Sequence, residues 1–89
     1  MKLLGIGFGN YVSASHIISL VSPDSAPIKR LVQDSREKGL LIDASFGRST
    51  RTVIVADNGM VILSALTGEV LAARMDELNT AEGGTKRND

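Results

Sequence analysis

Cysteine and tryptophan are absent from this 89-residue chain, which has one histidine, two prolines, one tyrosine and two phenylalanines. Without thiols there is no disulfide scaffold, no thiolate metal site and no cysteine chemistry. One imidazole is too little for a zinc site built from several His or Cys ligands. No apolar run approaches the roughly 20 residues of a membrane span. Gly5, Gly7 and Gly9 break up the apolar start, so it does not read as a signal peptide, and a cytoplasmic location is expected. Excess charge is missing as well: ten Lys and Arg balance ten Asp and Glu. That balance speaks against a uniformly basic nucleic-acid binder and against an acidic disordered chain.

What remains is 43% apolar residues, nearly all aliphatic, in a chain of single-domain length. So short a domain buries only about 60% of its unfolded surface, so further copies of the chain are expected to supply missing burial. Residues 1–79 read as one domain. Residues 80–89 contain a single apolar residue, Ala81, and read as a mobile tail.

The pattern predicts strands over residues 3–8 and 11–21, joined by a turn at Gly9-Asn10, where both residues tolerate positive φ. Ser22-Pro23-Asp24-Ser25-Ala26-Pro27 then stops extended structure and starts a helix over residues 26–38. Ile28, Leu31, Val32 and Ser35 share one face of that helix, and Gly39 is placed to end it. A short apolar run, Leu40-Leu41-Ile42, precedes two strands over residues 50–56 and 60–66. Asp57-Asn58-Gly59 between them predicts a hairpin with a type I′ Asn-Gly turn. Thr67 caps a second helix over residues 68–78, with Val70, Leu71, Arg74, Met75 and Leu78 in helical register. The expected fold is α+β, a small mostly antiparallel sheet with two helices.

Catalytic parts are scarce. Gly5-Ile6-Gly7-Phe8-Gly9-Asn10 superficially suits a dinucleotide loop, but Asn10 stands where the third glycine belongs and a strand follows instead of a helix. The run reads better as a hairpin. His16 has no nucleophile elbow or carboxylate constellation around it in the sequence, so no enzyme, cofactor or small-molecule substrate is expected.

The charges say more once they are located. Residues 29–51 hold six basic against three acidic side chains, a local +3, whereas residues 69–89 hold three against five, a local −2. Lys29, Gln33 and Arg36 share an exposed helical face. Arg51 is expected on one side of its strand with Val53 and Val55, just beyond the Gly47-Arg48-Ser49 turn. Arginines on a short glycine-containing turn suit bidentate phosphate contacts. One such patch binds weakly, and repetition around an oligomer strengthens it by avidity.

The stretches Ile6-Gly7-Phe8-Gly9-Asn10-Tyr11-Val12, Val21 to Arg30 and Leu41-Ile42-Asp43-Ala44-Ser45-Phe46-Gly47-Arg48 resemble the RemA family, the extracellular matrix regulatory protein A group. Thr50-Arg51 and Val61-Ile62-Leu63-Ser64-Ala65 extend the resemblance to about residues 3–75. It implies a bacterial DNA-binding regulator that activates biofilm-matrix operons, with a domain similar to LytTR DNA-binding domains and a ring-shaped homo-oligomer associated with the nucleoid. The family's basic stretch maps onto Gly47-Arg48-Ser49-Thr50-Arg51. Ser49 and His16 occupy positions that are commonly basic in the family; histidine carries charge only in mildly acidic solution. The expected DNA contacts are therefore Arg48 and Arg51, supported by Lys29, Arg30 and Arg36, with His16 and Ser49 at the two substituted positions. The competing expectation is a structural or adaptor oligomer that binds a protein partner.

Overall fold

Local chemistry explains most of the elements in the computed structural model, which describes residues 2–83. Helix α1 spans Ala26–Lys38. Its start is fixed by the Ser25 hydroxyl, which accepts from the Ile28 N–H at 3.3 Å, with Pro27 in the first turn. It ends on Gly39 in the left-handed conformation at φ 75°, whose N–H returns to the last turn. Helix α2 spans Gly68–Gly83, and the Thr67 hydroxyl accepts from the Val70 N–H at 3.2 Å. It continues past the end expected at Leu78 and so takes in the start of the segment read as a tail; residues 84–89 lie outside the described residues.

Six strands form two sheets. β1 (Leu3–Gly7) and β2 (Asn10–Ser13) make an antiparallel hairpin, while β3 (Ile17–Val21), β4 (Leu41–Asp43), β5 (Thr52–Ala56) and β6 (Val61–Ser64) form a sheet in the order β3-β5-β6-β4. All pairings are antiparallel except β4 with β6, which run parallel. The single strand expected over residues 11–21 is thus two strands in different sheets, separated by a 3-10 turn at Ala14–His16. Period-two alternation cannot register that break, because each half alternates on its own.

Two turns also differ from expectation. The β1–β2 loop is Phe8-Gly9, with φ of 56° and 79°, one position earlier than Gly9-Asn10. Asn10 instead stays in the strand and donates its side-chain amide to the Gly7 carbonyl at 3.1 Å. In the β5–β6 loop only Gly59 has positive φ, at 88°, and its N–H donates to the Ala56 carbonyl at 3.2 Å. This is a three-residue connection, a type I turn followed by a left-handed glycine, in place of the type I′ pair. Asn58 contributes by accepting from the Met60 N–H at 3.0 Å.

The larger sheet is covered on both faces. Val53, Val61 and Leu63 face α1, where Ile28, Leu31 and Val32 pack with Val21 and Leu41. Ile54 and Ile62 on the other face meet Leu4 and Ile6 of the hairpin and Leu71, Met75 and Leu78 of α2. Polar ties hold this third layer in place. The buried Ser64 hydroxyl donates to the Ile6 carbonyl at 2.8 Å and accepts from the Leu66 N–H at 3.1 Å. Arg74 reaches from α2 to the Gly5 carbonyl at 3.0 Å. No helix among the described residues is long and apolar enough to cross a membrane.

Candidate functional site

The loop between β4 and β5 is organised from its first residue. Asp43 accepts from the Ser45 N–H at 3.0 Å and from the Ser45 hydroxyl at 2.5 Å. These two bonds hold its carboxyl below the usual carboxylate range; slight burial opposes them and the nearby positive charge of Arg36 assists. Ser45 is buried, and its carbonyl accepts from the Arg48 N–H at 3.0 Å. Between them lie Phe46 and Gly47, at φ 56° and 76°. At the far end the Arg51 N–H donates to the Ser64 carbonyl at 2.8 Å. The arginine-bearing turn is therefore clamped at both ends.

Ser45-Phe46-Gly47-Arg48 has the same backbone hand as Gly7-Phe8-Gly9-Asn10: each places a Phe-Gly pair at positive φ, as a type I′ turn requires. Asn, Asp or Gly ordinarily takes the first of these positions. The two rings stack, with centroids 5.0 Å apart and planes inclined by 27°. The Arg48 guanidinium lies 5.8 Å from the centroid of the Phe8 ring. Left-handed backbone at a residue with a side chain costs roughly 1–2 kcal/mol, so two such residues exceed the roughly 0.5–1.5 kcal/mol of an aromatic pair. Nor does core burial explain the strain, since Phe8 is 47% and Phe46 75% exposed.

A recess of about 460 Å³ opens beside the pair, lined by Gly7, Phe8, Arg48, Ser49, Arg51 and Leu66, among others. Arg51 thus opens on the hairpin side, away from Val53. β5 begins only at Thr52, so strand alternation does not yet govern residue 51. Thr50 opens instead onto a second recess, of about 230 Å³, together with Lys29, Val32, Arg36 and Val53. Consecutive residues of one loop therefore join two basic surfaces. Arg36 donates to Gln33 at 3.2 Å, and Gln33 donates to Glu37 at 3.0 Å. Among the described residues neither Arg48 nor Arg51 has a carboxylate partner.

Two of the candidate residues lie apart. Arg30 is exposed on α1 but lines neither recess, because one residue further along turns it about 100° around the helix. His16 adjoins the opposite end of β5, where its Nδ1 lies 2.9 Å from Asp57 Oδ2. Phe8 and Phe46 were not singled out from the sequence as functional residues. Their signal was present: they are the only two phenylalanines in the chain, and each is followed by glycine.

This loop and hairpin belong to the part of the chain, residues 3–75, that matches the family model described as RemA-like, extracellular matrix regulatory protein A-like. The chain belongs to the RemA-like family. Relatives agree across almost the whole length. A protein of Halalkalibacterium halodurans is 55% identical over 83 residues, covering 93% of this chain and 95% of the relative. One of Alkaliphilus metalliredigens is 58% identical over 76 residues, covering 85% and 82%, and one of Clostridium acetobutylicum is 52% identical over 89 residues, covering 100% and 94%. All three carry the name "Putative regulatory protein". Family and relatives give this RemA-like chain a regulatory role.

Proposed function

We propose that the protein is a DNA-binding transcriptional regulator acting as a ring-shaped homo-oligomer, with a LytTR-like mode of DNA contact and biofilm-matrix operons as its targets. The observation that carries this reading is the loop that holds Arg48 and Arg51, without carboxylate partners among the described residues, beside Lys29 and Arg36. Guanidinium groups fixed on a clamped turn suit phosphate oxygens, and one modest patch gains strength by repetition. Exposed Ile18 on edge strand β3 and Ile42 on the opposite edge strand β4 support head-to-tail association, which closes into a ring when the rotation allows. In such a ring, residues that lie apart within one protomer, such as His16 and Arg48, are free to meet across neighbouring copies. A DNA-bound protein of this kind resides on the nucleoid.

The test is a salt titration of duplex binding by fluorescence anisotropy, with particle mass measured with and without DNA. Arg48→Ala should weaken binding and make log K less steep in log[salt], by about 0.9 for each phosphate that the bound protein no longer neutralises. Unchanged affinity and slope would remove Arg48 from the interface. Wild-type protein that binds no duplex at low salt would overturn the reading as a whole.

A further inference from the structure

Phosphate contacts account for the arginines but not for the phenylalanines. Two separate loops each place a phenylalanine in a backbone conformation that ordinarily goes to glycine or asparagine, and both rings emerge at the surface, stacked on each other, with Arg48 over the Phe8 ring. Strain that serves no buried packing, coinciding with exposed apolar area, indicates a surface shaped for a partner. The neighbouring charge says which kind: Arg48 and Arg51 line the recess beside Phe8, so the partner presents anionic groups next to flat apolar ones.

From this we infer that Phe46, backed by Phe8, is an apolar wedge that enters a base step of duplex DNA and bends it, while Arg48 and Arg51 hold the flanking phosphates. The inference rests on the DNA-binding reading and adds a second kind of recognition to it. A ring inserted between base pairs unstacks them and kinks the duplex. Pyrimidine–purine steps such as TA and CA unstack most readily, so the wedge selects sequences by deformability without hydrogen-bonding a base. Phe46 suits the role because its ring is the more exposed of the two, and Phe8 supports it from the side.

The experiment uses a duplex of about 30 bp, rich in TA and CA steps, with a donor dye at one end and an acceptor at the other. Phe46→Asn keeps a residue that tolerates left-handed backbone but removes the wedge. Wild-type protein should shorten the dye-to-dye distance. Phe46→Asn should bind about 5- to 150-fold more weakly, as removal of one stacked ring predicts, with the salt slope of the wild type and the dye distance of the free duplex. Phe46→Leu, an apolar replacement, should restore part of the bend. If Phe46→Asn bends the duplex as fully as wild type, the wedge is wrong and DNA binding stands. If wild-type protein binds no duplex, both fall. A changed particle mass in Phe46→Asn also overturns the wedge, by placing Phe46 between copies of the chain.

Discussion

Replacing Ser64 by Ala tests how the hairpin layer is held to the rest of the fold. Ser64 is fully buried, and its hydroxyl makes two bonds: one to the Ile6 carbonyl in the hairpin and one from the Leu66 N–H just after β6. Ile6 is also buried, so its carbonyl loses its partner in Ser64→Ala where water cannot readily replace it, at about 1–3 kcal/mol. Leu66 is only half-buried, so its N–H can rehydrate and adds about 0.5–1 kcal/mol. The expected loss is about 1.5–4 kcal/mol, against a total of about 4–13 kcal/mol for a chain of this length. In urea, with a slope of about 1 kcal/mol per molar, the midpoint should fall by about 1.5–4 M at fixed protomer concentration. Amide hydrogen exchange should accelerate most in β1 and β2, because Ser64 ties those strands to the sheet. A midpoint shift below about 0.5 M, or exchange that rises evenly in every strand, would refute the assignment of this hydroxyl as the tie.

Other perturbations separate the remaining devices. Gly39→Ala adds a methyl group into open space, so its whole effect should come from the positive φ, about 1–2 kcal/mol by urea unfolding. Asp43→Asn should destabilise most at neutral pH. The folded-state pKa of Asp43 lies below the ordinary 3.8, so its contribution is fully present above that value and fades as the pH falls through the lower folded value. The gap between variant and wild type in urea midpoint should therefore close on acidification below 3.8, and a gap constant across the range would contradict the Ser45 hydrogen bonds and the Arg36 charge as its source. Ser49→Arg adds a basic residue on the wall of the larger recess and, on the proposed DNA-binding reading, should steepen the salt dependence of binding by about 0.9 per additional phosphate neutralised. An unchanged slope would place Ser49 outside the phosphate track.

Helix α1 was legible because the local signals agreed: a capping serine at Ser22 or Ser25, which the structure places at Ser25, Pro27 in the first turn, the Ile28-Leu31-Val32 face and Gly39 at the end. The β5–β6 hairpin was equally plain, though asparagine's tolerance of positive φ misassigned its turn type. What could not be read locally was decided by distant parts of the chain. Residues 11–21 divide between two sheets because β2 pairs back onto β1 and β3 pairs with β5. The first turn falls on Phe8-Gly9 although Asn10 is the better turn former by propensity. Phe8 there meets Phe46, a contact that no window of local sequence contains. The same holds for the site. Arginines announce themselves by charge, whereas an aromatic pair drawn from two loops exists only after folding.

Neutrality by count is not neutrality by place. Asp43 is turned toward Ser45, Asp57 toward His16, Glu37 toward Gln33 and Asp24 toward Ser22, so four of the acids that balance the total are engaged elsewhere. Arg48 and Arg51 have no carboxylate partner among the described residues, and the aromatic pair stands beside them. The two elements act on different observables. Phosphate contacts release counterions and set the salt slope, while an apolar wedge releases none and sets the bend. Loss of Arg48 should therefore lower the slope and spare the bend angle of whatever duplex remains bound, and loss of the Phe46 ring should do the reverse. If each substitution moved both quantities together, arginine and phenylalanine would be parts of one contact instead of two, and the division between holding and bending would have to be abandoned.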